Sequence, residues 1–172
     1  MKNVNRSRHP FPAITQTQNN TTLWVGHLQN DLADHFAGQT FTCPADGILE
    51  NIQVFSSAVH NPGELHLTLF EFDAATKKWG SPIGHSVLTI EKQDNDKWIQ
   101  FSLPGIILKH GAGYGFRLQT HNAMIGIGEA ATGTDQPFTG HEWNGDSLNE
   151  RGHFYSYFSL MFKVEMGSLN IQ

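Results

Sequence analysis

Alternation with a period of two constrains this chain more than any other feature. In "DKWIQFSLP", residues 96–104, Ile99, Phe101 and Leu103 fall on one side, and Trp98, Gln100 and Ser102 on the other. "GYGFRLQTH", residues 113–121, repeats the pattern: Tyr114, Phe116 and Leu118 form an apolar face opposite Gly113, Gly115, Arg117, Gln119 and His121. Successive side chains of a strand point to opposite faces, so each run buries one face and wets the other. That is the signature of antiparallel sheets, and it leaves Trp98 and Arg117 on the polar side.

From residue 38 onward such runs recur between turn signals. "GQTFTC" reads as the first strand, "PADG" (44–47) as a turn, and "ILENIQVFSSAV" as a long extended segment closed by "NPG" at 61–63. "ELHLTLFEFD" sets Leu65, Leu67 and Leu69 against His66, Thr68, Phe70 and Phe72, and "AATKKWGSP" reads as a loop. "IGHSVLTIEK" and "DKWIQFSLP" flank the turn "QDND", and a Pro-Gly turn separates the latter from "GIILK". After the short "AMIGIGEA" and a long polar loop, "HFYSYFSLMFKVEM" reads as one last strand. It places Phe154, Phe158, Leu160, Phe162 and Val164 inward, with Tyr155, Tyr157, Met161 and Lys163 outward.

The count is about eight strands with no long helix, which predicts an all-β fold: a two-sheet antiparallel β-sandwich of jelly-roll type. Residues 38–172 form this domain, and residues 1–37 an irregular N-terminal arm or short helix packed on it. The spacing of Leu28, Leu32 and Phe36 suits one helical face, with an irregular loop as the equal alternative. A length of 172 residues suits a single domain, and 17 glycines fit many turns.

Eleven basic against sixteen acidic residues leave a net charge of −5, with no basic run to follow a phosphate backbone, so nucleic acid is not expected as a partner. No apolar stretch spans a bilayer, and the basic N-terminus lacks the apolar core of a signal peptide, so no membrane partner is expected and the cytoplasm is the default location. The single Cys43 cannot form an intrachain disulfide and reads as a small core residue. Asn20-Thr21-Thr22 matches a glycosylation acceptor by chance in a polar stretch.

"FTCPADGILENIQVF", "KWIQFSLPGIILKHGAGYGFRL" and an aromatic last strand after "PFTGHEWNGD" together give a resemblance. Over roughly residues 38–166 the chain resembles bacterial β-sandwich modules of the galactose-binding-like or carbohydrate-binding jelly-roll type. In such modules a tryptophan-bearing strand and a hairpin of the form "L..G..Y.F.L" precede the final strand. The resemblance implies a sandwich fold and non-catalytic binding of an oligosaccharide or polysaccharide. It transfers no ligand-binding motif residue by residue, so the site is read from strand register.

Sugars offer apolar C–H faces and many hydroxyls, which call for an aromatic platform beside amide, guanidinium or imidazole groups. The outward set Trp98, Gln100, Arg117, Gln119, His121, Tyr155 and Tyr157 has that chemistry. Trp143, in the loop "GTDQPFTGHEWNGDSLNERG", is a second candidate platform. The alternative is that the same aromatic face forms a homo-oligomer or partner interface, where Trp, Tyr and Arg are also enriched. The loop's oxygens could hold Ca²⁺, but no Asp-x-Asp-x-Asp pattern supports it, so no cofactor is expected. Ten histidines suggest a cupin-like metal centre, yet "ELHLTLFEF" has Thr68 where a second histidine belongs and Glu71 on the wrong face, so no metal is expected. No nucleophile elbow, phosphate loop or placed carboxylate pair marks an enzyme.

Overall fold

Each alternating run becomes a strand because one of its faces reaches the same apolar interior. The computed structural model describes residues 10–133 and 135–169, so residues 1–9 of the expected arm lie outside the described residues. Thirteen strands form: β1 (Phe11–Gln16), β2 (Thr21–His27), β3 (Asp34–Thr42), β4 (Gly47–Asn61), β5 (Gly63–Asp73), β6 (Lys78–Ile90), β7 (Lys97–Leu108), β8 (Gly113–Gln119), β9 (Met124–Ala131), β10 (Glu142–Asp146), β11 (Asn149–Tyr155), β12 (Phe158–Leu160) and β13 (Phe162–Gly167). Apart from one 3-10 turn at Lys92–Asp94, in the expected "QDND" turn, the regular structure is all β.

Every pairing is antiparallel, and the strands follow the order β1-β13-β4-β9-β2-β3-β8-β5-β6. Strand β7 lies on the other edge of β4, the β10–β11 hairpin joins β3, and β12 joins β9. The sheet curls until β6 meets β7 without a ladder, where Ile106 and Leu103 press on Gly84. Inside the curl sit Leu65, Leu67, Leu69, Phe101, Phe116, Leu118, Ile125, Ile127, Phe162 and Val164, all fully buried. The inward faces expected for β5, β7 and β8 are therefore the observed ones. Cys43 is buried too, and desolvation raises its thiol pKa.

Strand β4 organises the curl. It pairs with β7 along Gly47–Ser56, while its other edge takes β13 along Ile48–Val54 and then β9 from Ser56 to Asn61. Met161 occupies this fork, its carbonyl accepting from the Phe55 N–H at 3.3 Å and its own N–H donating to the Gly128 carbonyl at 2.7 Å. The last run is consequently β11, β12 and β13 rather than one strand. Met161, expected outward, is buried with its thioether against Gly128.

Other expectations change for local reasons. "SLPGII" is not a turn between strands: β7 runs through it, with a bulge where Leu49 pairs with Ile106 but Asn51 with Ser102. Gly105, at φ +84°, supplies the left-handed residue. The segment before β3 is a turn and not a helix. Asn30 has φ 72°, and the Asp31 carboxylate accepts from the Ala33 N–H at 3.1 Å and pairs with His35 at 2.6 Å. Strands β1 and β2, ahead of the expected first strand, belong to the same sheet.

Phe162 touches the rings of Phe41, Phe116 and Phe138 with centroids 6.2, 5.8 and 4.9 Å away. Phe162→Ala should lower unfolding free energy by about 3–5 kcal/mol, read from urea denaturation, whereas Leu32→Ser, on an exposed turn, should change it by less than about 0.5 kcal/mol.

Candidate functional site

The outer face of β3, β8 and β5 carries a cross-strand row. Register sets Trp143 of β10 beside Gly38 of β3, Gly38 beside Arg117 of β8, Arg117 beside Thr68 of β5, and Thr68 beside His85 of β6. Glycine at position 38 lets the row close up, since a Cβ there would lie 3.1 Å from Trp143 Cε3 and 2.7 Å from the Phe116 carbonyl oxygen. Gly115 does the same for Trp79, whose Cζ3 would be 2.7 Å from a Cβ. Two indoles thus lie on glycine-floored strands and meet edge-to-face, centroids 5.7 Å apart, with Arg117 over both.

The Arg117 guanidinium carbon sits 4.3 Å from the Trp79 ring centroid and 4.2 Å from that of Trp143, with Phe70 at 5.3 Å. Each such contact contributes about 0.5–1 kcal/mol when exposed and about 2 kcal/mol when desolvated. Phe70, Phe72 and Phe154 pack around Trp79 at 5.4, 5.2 and 6.3 Å, Phe154 nearly parallel to it. The Trp143 Nε1–H donates to the Arg151 carbonyl at 3.1 Å, tying the β10–β11 hairpin over the cluster. Burial pulls the Arg117 pKa down, against a smaller opposing pull from Glu150, and its Nε and the Trp79 Nε1 are enclosed without a partner.

Beside this cluster opens a cleft of about 480 Å³ lined by Thr76, Lys77, Lys78, Trp79, Arg117, Arg151, Gly152 and Phe154. Trp79, Arg117 and Phe154 are half-buried along it, and the two lysines and Arg151 are exposed. Among the described residues, no carboxylate or imidazole lines this cleft.

The expected site residues do not converge. Trp98 is half-buried on β7, edge-on to Phe55 at 5.5 Å, with Lys163 Nζ 4.1 Å from its ring centroid. Gln100 is exposed beside Gln53, which is already bonded to Asn51 and Glu165. Both stand apart from Arg117, with β4, β9, β2 and β3 intervening along the paired path. Trp143 is fully buried and is no surface platform: the chain expected as an open loop forms β10–β11, and the indole is enclosed by Gly145, Gly152, Gly38 and Arg117.

Gln119 and His121 follow Arg117 on β8 and its exit, but neither lines the cleft. Gln119 pairs with His66, while exposed His121 lies 3.7 Å from Asp34. His66 Nδ1 is 3.2 Å from His85 Nε2, yet among the described residues no three His, Cys, Asp or Glu side chains are placed to hold a metal. Tyr155 is partly exposed against Phe158 at 6.1 Å, and Tyr157 is exposed in the following turn. Neither lines the cleft. Of the expected set, only Arg117 and, from beneath, Trp143 belong to the site. Sequence reasoning missed Trp79, read as loop, and Phe154, read as core. The available signal was Gly113 and Gly115 preceding Arg117 on the same outward face, a bare strip that bulky groups can cover.

On the other side of β10, fully buried Glu142 lies near Glu129, which is also buried. Desolvation, reinforced by Glu129, pushes the Glu142 carboxyl from 4.5 up to about 10, so it stays protonated at neutral pH. The folded pKa exceeds the unfolded one, so the unfolded chain gives up this proton first and stability falls as pH rises from about 4.5 through about 10. Urea denaturation at pH 5, 7 and 9 should show this decline, with a slope of at most about 1.4 kcal/mol per pH unit from this group, and Glu142→Gln should flatten it.

No family model matches the chain, and no curated protein matches it in sequence.

Proposed function

We propose that the protein is a non-catalytic carbohydrate-binding module, its sheet curled into a jelly-roll sandwich and its site the Arg117 cleft. One observation carries the reading. A half-exposed indole and a half-exposed phenyl ring, Trp79 and Phe154, line a cleft whose other residues are almost all hydrogen-bond donors. The exposed part of Trp79 offers apolar surface to a sugar's C–H groups, and Thr76, Lys77, Lys78, Arg117 and Arg151 supply donors to its hydroxyls. The cleft's lack of a carboxylate or imidazole supports binding without turnover, because glycoside hydrolysis uses a carboxylate pair. The Glu129 and Glu142 carboxyls, buried elsewhere, do not reach it.

A specific surface favours the second reading, an interaction protein. Leu32 and Leu148 are 90% and 73% exposed on turns joined by Asp34 and Ser147, whose backbones and side chain bond at 2.9 Å. Apolar groups so placed suit contact with another chain.

Tryptophan fluorescence titrated with a panel of neutral and acidic oligosaccharides tests the first reading. A saturable change should appear, Trp79→Ala should weaken binding at least about tenfold, and Trp98→Ala should leave it unchanged. A flat response across the panel, with a dimer mass in solution that Leu32→Ser with Leu148→Ser abolishes, would replace it with the second.

A further inference from the structure

We infer that the ligand of the Arg117 cleft is anionic: a glycan bearing carboxylate or sulfate groups. This rests on the glycan reading and narrows its substrate class.

Charge distribution is the first support. The chain has eleven Lys and Arg and a net charge of −5, yet Lys77, Lys78, Arg117 and Arg151 all line this one cleft. Against an acidic background, that concentration creates a local positive potential.

The second support is that these charges are not spent in close ion pairs, Glu150 and Asp73 acting on Arg117 and Lys78 only from farther away. Among the described residues every ion pair within 4.0 Å of a carboxylate uses a histidine, so none of the four cations has a carboxylate partner at that range. Arg117 is the most telling. It is half-buried, its guanidinium carbon rests over both the Trp79 and the Trp143 rings, which pack edge-to-face on each other, and among the described residues its enclosed Nε has no partner. A buried cation is costly unless paired. A planar guanidinium held on aromatic rings keeps N–H donors in a fork geometry that fits a carboxylate or sulfate. Arg117 lines the cleft. An anionic group there would meet Arg117 at the base and Lys77, Lys78 and Arg151 at the rim.

Isothermal titration with three oligosaccharides of equal length tests this: an oligogalacturonate, its methyl ester as the neutral counterpart, and a sulfated oligosaccharide. The acidic forms should bind at least about tenfold more tightly than the ester, and their binding should weaken about tenfold as salt rises from about 0.02 to about 0.2 M, as screening requires. Lys77→Gln with Arg151→Gln, both exposed and outside the core, should remove most of the salt dependence. Arg117→Lys keeps the charge but loses the fork, and should weaken the acidic ligands by a larger factor than the ester. The arms separate the sources: uronate alone, or sulfate alone, names the group. Equal affinity for acid and ester would overturn the inference while leaving the glycan reading intact. Binding of none of the three would overturn both.

Discussion

The packing of Arg117 over two tryptophans that meet edge-to-face turns what would be a wet outer face into a second packed layer. An alternating strand normally leaves its polar side to water. On β8 that side is covered, because Trp79 comes in from β6 and Trp143 from β10. The hairpin β10–β11 is held by the same cluster, through the Trp143 bond to the Arg151 carbonyl and the packing of Phe154 on Trp79. The cleft is the gap left where this covering layer stops short. At its base Arg117 rests on the two indoles, and its rim carries the long, exposed side chains of Lys77, Lys78 and Arg151.

The molecule therefore separates two uses of aromatic side chains that look alike in sequence. Trp98 and Phe55 meet edge-on, and Lys163 makes a cation–π contact with the Trp98 ring. Trp79 keeps part of its ring open beside a cleft. Trp143 keeps none, and its role is to hold Arg117 from below. What distinguishes them is the neighbour in space: a lysine, an opening, or a ring of glycines.

Legibility in the sequence followed the range of the interactions. Period two placed Phe101, Phe116 and Leu118 inside and Arg117 and Trp98 outside, because a strand's faces are a local property. The fate of those outward residues depends on strands far along the chain, and period two is silent on them. Trp143 sits among polar residues in a stretch that reads as a loop. Its burial needs Gly38, more than a hundred residues earlier, and β11 folding back over it. Met161 alternates correctly for an outward residue, yet the fork between β4 and β9 closes around it. At Pro104-Gly105 the turn chemistry was legible, but a bulge uses the same residues as a turn does.

The open seam between β6 and β7 has a consequence for solubility. These are the strands at which the curl fails to close, and an unpaired strand edge invites pairing with other molecules. Each carries a proline, Pro82 and Pro104, that removes an N–H donor, and both ladders are bulged near it. The exposed Lys78 stands at the start of β6. The features that stop the two edges from zipping together also make each a poor template for a neighbouring chain, so the protein keeps an incompletely closed sheet without the aggregation hazard that such an opening brings.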